Sequence, residues 1–135
     1  MRLLITLVLW CLATGLANAQ AHTDEPRHGG IVEESNGYHF EMVQSGSQLT
    51  IYVLEAEVKP SLQYTGIEAE FIFGKKPSEK AFLVKSDRGY FVTTVPSSAA
   101  SFEHCMIVLD IEGERLSVTF ANPSHSRKKK RVHSH

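Results

Sequence analysis

Period-two alternation of apolar and polar residues dominates this chain. In residues 38–44, Tyr38, Phe40 and Met42 share one parity while His39 and Glu41 share the other, which predicts a strand with one face on a core and a polar face opposite. A second alternating run over 49–54 follows a glycine-containing connection, so the two read as a β-hairpin. Residues 67–73 repeat the pattern, with Ile67, Ala69, Phe71 and Phe73 set against Glu68, Glu70 and Ile72. Segments 80–85 and 90–95, joined through Asp87-Arg88-Gly89, predict a second hairpin, and 102–111 with 115–120, around Glu112-Gly113-Glu114, predict a third.

Ahead of these runs, Ile31 and Val32 form only a short apolar step. Seven strand-like segments at close spacing, without a stretch of 3.6-residue apolar period, predict an all-β chain. The expected fold is a single antiparallel β-sandwich over residues 31–123, immunoglobulin-like or a related Greek key, with a small open barrel as the alternative. The only tryptophan is Trp10, outside this region, so the Cys and Trp set of an antibody domain is missing.

The two ends carry different patterns. Arg2, the apolar run 3–12 and the small residues Ala17-Asn18-Ala19 predict a cleaved secretory signal over residues 1–19, too short in its apolar part to span a bilayer. Export to a bacterial periplasm is the expected address. Residues 20–30 are polar, contain Pro26 and read as a flexible lead-in, whereas 124–135 make a basic, histidine-bearing tail expected to be disordered. Removal of the signal takes Cys11 with it. Cys105 then has no partner for an internal disulfide, so the fold must rest on its apolar core.

Charge is divided unevenly. Five of the 14 Lys and Arg residues lie in the run Arg127 to Arg131, whereas all 15 acids precede it. The acidic body argues against nucleic acid as a partner and suits cations, while the tail predicts a weak, salt-dependent contact with anionic surfaces.

Histidine supplies the candidate chemistry, with seven in the chain. Parity places His39 and Glu41 together on one strand face, where an imidazole and a carboxylate can hydrogen-bond or share one cation. His28 joins them only if the Gly29-Gly30 turn folds back over the hairpin. His104 and Met106 form a second pair on the penultimate strand, an imidazole and a thioether suited to a soft ion, while Cys105 between them faces the core. The candidate metal ligands are therefore His28, His39, Glu41, His104 and Met106. No nucleophile elbow or phosphate-cradling glycine loop is present, and the acid pairs Glu33-Glu34, Glu55 with Glu57, and Glu68 with Glu70 read as wet strand faces. The chain is not expected to be an enzyme.

These same residues carry a resemblance. His28-Gly29-Gly30, then His39-Phe40-Glu41, Leu49-Thr50-Ile51-Tyr52-Val53 and Lys59-Pro60 resemble small periplasmic proteins of bacterial heavy-metal resistance systems and the N-terminal region of metal-efflux membrane fusion (adaptor) proteins. The long helical hairpin and lipoyl-like parts of an adaptor are lacking, so a complete adaptor is excluded. The resemblance implies a periplasmic accessory protein that binds a transition metal, copper first, with zinc or nickel as other candidates, and that works beside a metal-efflux or other envelope protein. The alternative is a β-sandwich binding module that docks on an envelope partner without any metal.

Overall fold

A computed structural model describes residues 25–124; the expected signal at 1–19 and the tail from residue 125 onward lie outside them. The elements in chain order are β1 (Ile31–Ser35), β2 (Tyr38–Ser45), β3 (Gln48–Val53), α1 (Leu54–Val58), β4 (Tyr64–Ile72), β5 (Glu79–Phe82), β6 (Val84–Lys85), β7 (Phe91–Thr94), β8 (His104–Ile111) and β9 (Glu114–Ala121), with a 3-10 turn at Ser97–Ala99. They form two antiparallel sheets packed face to face. One has strand order β1-β2-β3-β7-β6, the other β5-β4-β8-β9. The strands thus divide between two layers.

Alternation places the core where the sequence predicts it. Phe40 and Met42 of β2, Leu49 and Ile51 of β3 and Phe91 of β7 face Ala69 and Phe71 of β4, Cys105, Ile107 and Leu109 of β8, and Val118 and Phe120 of β9, all of them buried. Burying a side chain of this size contributes roughly 1.5–3 kcal/mol relative to leaving it in water, so the two inner faces supply the main drive for folding. Phe102, in the loop before β8, is also buried and lies 5.3 Å from the Phe71 ring. Asn122 closes this end, its buried amide donating to the Phe102 carbonyl at 2.8 Å.

Four details depart from the expected strands. The apolar step at Ile31 and Val32 is a full strand, β1, hydrogen-bonded to β2 in the register Ile31↔Met42 to Ser35↔Tyr38. Its turn is Asn36-Gly37, both at positive φ (51° and 80°), the backbone that matches strand twist in a two-residue hairpin and that Asn and Gly adopt most readily. Leu54, expected to end a strand, instead starts the five-residue helix α1, which stops at Lys59 because Pro60 disfavours a helical residue before it. The expected strand 80–85 divides, with β5 pairing to β4 in one sheet and β6 to β7 in the other. Leu83, at the crossing, packs against the core while Phe82 and Val84 on either side point to solvent. Within β4 the register slips between Gly66 and Glu68, a bulge at Ile67.

Candidate functional site

The outer face of the β1-β2-β3 layer is where the candidate residues gather. Glu41 stands in the middle strand, flanked by Val32 on β1 and Tyr52 on β3. It is completely buried. A buried carboxylate is costly unless its oxygens are satisfied, and here the segment ahead of β1 satisfies them. Oε1 accepts the backbone N–H of His28 at 2.7 Å and of Gly30 at 2.8 Å, and Oε2 accepts the Arg27 N–H at 3.0 Å and faces His28 Nδ1 at 2.8 Å. Burial pushes the Glu41 carboxyl up, but the bonds from Gly30, the His28 ring, and the His28 and Arg27 backbone together outweigh it and hold the group below its ordinary value.

Gly30 permits this docking. A Cβ there would run into the Met42 carbonyl oxygen, so only a residue without a side chain lets the segment lie this close to β2. The fold-back that would bring His28 to the hairpin therefore occurs, and residues 27–30 at the end of the expected lead-in are tied to the sheet.

His28 is fixed on three sides. Its ring lies flat on Tyr52, with centroids 3.7 Å apart and planes 4° apart. With Nδ1 at Glu41, the other ring nitrogen, Nε2, faces Glu57 Oε1 of α1 at 3.1 Å. Glu57 also takes Arg27 Nη1 on its second oxygen at 3.0 Å. The result is a chain of Glu41, His28, Glu57 and Arg27 in which each side chain meets a charged or hydrogen-bonding partner.

The remaining predicted residues are placed elsewhere. His39 shares the side of β2 with Glu41, as parity requires, yet the structure does not join the two. Residues i and i+2 on a strand stand roughly 7 Å apart, and each finds a nearer partner. His39 turns to Glu55, with Nδ1 2.6 Å from Oε1 and its backbone N–H on the same carboxylate at 2.8 and 2.9 Å. Glu34 on β1 lies 3.8 Å from its Nε2. His104 and Met106 do share the outer face of β8, but that is the other sheet and the opposite side of the sandwich. His104 is exposed, and Met106 is half-buried in a shallow groove beside Asn36 and Arg115. The two ligand pairs therefore cannot meet on one ion. No group of three or more His, Cys, Asp or Glu side chains poised for one ion occurs among the described residues.

Cys105 is buried and its thiol is pushed up to about 12 by that burial, so it stays protonated and behaves as an apolar side chain.

Beside the stacked His28 and Tyr52 lies an open cleft of about 320 Å³. Its walls include Tyr64 and Tyr90, with Glu57 at one rim and Arg88 at another. Tyr90 is tilted 51° to Tyr52 at 5.4 Å, and the Tyr64 hydroxyl donates to the Gly89 carbonyl at 2.7 Å, which pins the turn carrying Arg88. Desolvation first, then the nearby Tyr90, Glu41 and Glu57, push the Tyr52 phenol above its ordinary value, so it stays a neutral hydroxyl. Burial does the same to Tyr64.

Glu55, Glu57 and the three tyrosines were not singled out by the sequence pattern as site residues. Glu55 and Glu57 read as the wet side of a strand because α1 is a single helical turn, too short for a 3.6-residue apolar period to register. Tyr52 carried a signal, since it shares the outer parity of its strand where a polar residue would be expected.

Compared with protein-family models, with curated proteins and with solved structures, the chain gives no match.

Proposed function

We propose that this chain is a non-catalytic binding module of the bacterial envelope that holds its ligand or its partner in the His28–Tyr52–Tyr90 cleft. One observation carries this reading: the Glu41 carboxylate, buried at the centre of a sheet, is spent on orienting His28 and the segment that forms one wall of the cleft. An apolar residue at that position would serve a sandwich that needed only stability. Aromatic walls with a few oriented polar groups are the usual make-up of a small-molecule or peptide site. On fold, we read the sandwich as immunoglobulin-like or a related Greek key. That reading is supported by the chain crossing between sheets after β3, β5 and β7 and by the pairing of β3 with β7 and of β4 with β8.

The test is a fragment screen by NMR on the purified exported chain. Hits are expected to move the ring signals of Tyr52, Tyr64 and Tyr90 and to be weakened by His28→Ala. Hits scattered over the surface, or none at all, would end the reading.

A second reading, a periplasmic accessory protein for a transition metal in resistance or homeostasis, is favoured by a specific feature. A carboxylate on Nδ1 that leaves Nε2 facing a second carboxylate is the arrangement that holds a metal-ligating imidazole in one tautomer. It occurs at His28, with Glu41 and Glu57, and at His39, with Glu55 and Glu34. An ion at either place would take Nε2 and the outer carboxylate. Cu(I), Cu(II), Zn(II) and Ni(II) added to protein lacking residues 124–135 should then raise its melting temperature, and His28→Ala or His39→Ala should remove the shift. Unchanged melting with all four ions would dismiss this reading.

A further inference from the structure

We propose that the cleft takes a small organic anion with a flat apolar body, an aromatic carboxylate, held by Arg88 against the Tyr52 and Tyr90 rings. This rests on the binding-module reading and adds the chemical class of the ligand.

Charge decides the sign. The two acids on this side of the site already have partners, Glu57 in Arg27 and His28 and Glu41 in His28 and three backbone N–H groups. The cations on the opposite side meet no carboxylate among the described residues. Arg88 is exposed at the cleft and makes no hydrogen bond or ion pair among the described residues, nor does Asp87 beside it in the turn. Lys85 lies behind the Tyr64 wall, 3.7 Å from the ring centroid, and donates to the Tyr64 carbonyl at 3.0 Å rather than to a carboxylate. Among the charged side chains that line the cleft, Arg88 is thus the one without a partner among the described residues, and a guanidinium with its donors free matches a carboxylate in a bidentate way.

Shape decides the body. Imidazole and phenol rings form the walls, one pair stacked and the next tilted against it, which offers a flat ring an aromatic surface made by Tyr52 and Tyr90 together rather than a slot between them. A volume of about 320 Å³ sits at the lower end of small-molecule sites and holds one ring with its acid group. Such a group reaches the site from two sources, a free aromatic acid or the C-terminal carboxylate of a polypeptide that ends in an aromatic residue.

The experiment follows the tyrosine ring signals of the exported chain by NMR during titration with five probes. These are phenylacetate, an N-acetylated tetrapeptide ending in Phe, its C-terminal amide, phenethylamine and benzyl alcohol. Tyr52, Tyr64 and Tyr90 should shift with phenylacetate or the acid peptide while Tyr38, outside the cleft, stays still. The amine, the alcohol and the amide should bind at least about tenfold more weakly, and Arg88→Ala should cost the acids about tenfold, with Arg88→Lys in between. Tighter binding of phenylacetate points to a free acid, and of the acid peptide to a chain terminus. If the amine or the alcohol binds as well as the acids, or if a folded Arg88→Ala protein binds them unchanged, the anion class is wrong while the cleft reading survives. If no probe moves these rings at about 10 mM, both fail together.

Discussion

Glu41 Oε2 and His28 Nδ1 stand 2.8 Å apart across 13 residues of sequence, and through that contact the histidine stacks on Tyr52 and faces Glu57. The His-Gly-Gly segment and the strand acid are therefore parts of one hydrogen-bonded unit, a latch in which Gly30 supplies the close approach and Glu41 the acceptor. Its consequences can be measured.

Replacing Glu41 by Gln puts an amide among donors and leaves at least one of them unmet. Urea denaturation should show a loss of about 2–4 kcal/mol, the usual cost of breaking a buried, charge-assisted network. A change under about 0.5 kcal/mol would mean that the latch contributes nothing net to folding.

Acid should release the latch. Folding lowers the Glu41 pKa, so its contribution to stability is complete above the unfolded value, near 4.5, and is lost as pH falls through the lower folded value. Wild-type stability should therefore drop more steeply than that of Glu41→Gln on acidification below about pH 4.5. Parallel curves for the two proteins would contradict this.

Gly30→Ala places a methyl group against the Met42 carbonyl and should push residues 27–30 off the sheet. The expected loss is about 1–3 kcal/mol in thermal or urea unfolding, with the upfield ring-current shift of the His28 protons collapsing toward free-histidine values. Retention of that shift would show that the segment adapts without leaving Tyr52.

Cys105 should not react with a thiol reagent at neutral pH while the chain is folded, and should react at once in strong denaturant, because the thiol is buried and pushed up to about 12. Rapid labelling of native protein would place the side chain outside the core.

Alternation made much of the fold legible. The parity that turned Cys105 toward the core holds along β8, where Ile107, Leu109 and Ile111 are buried with it, because a half-buried strand must repeat every second residue. Asn36-Gly37 carried an equally strong turn signal, and reading it as a hairpin would have extended Ile31 and Val32 into β1. Residues 80–85 held no comparable signal. Ala81 and Leu83 keep facing inward through the change of sheet, so the period-two pattern is the same whether the strand continues or crosses.

By itself the chain's pattern determined that strands would form, which of their side chains would face inward, and that His39 and Glu41 would stand on the same side of β2. Those properties depend on neighbours one to four residues away. Which imidazole met which carboxylate was decided only by tertiary structure. His28 reaches Glu41 because Gly30 lets a separate segment close over the sheet, and His39 reaches Glu55 because one helical turn after β3 swings that acid back to β2. A strand's local pattern says what a side chain offers; the partner that arrives depends on contacts made across the folded chain, where burial makes an unmet carboxylate too costly to leave alone.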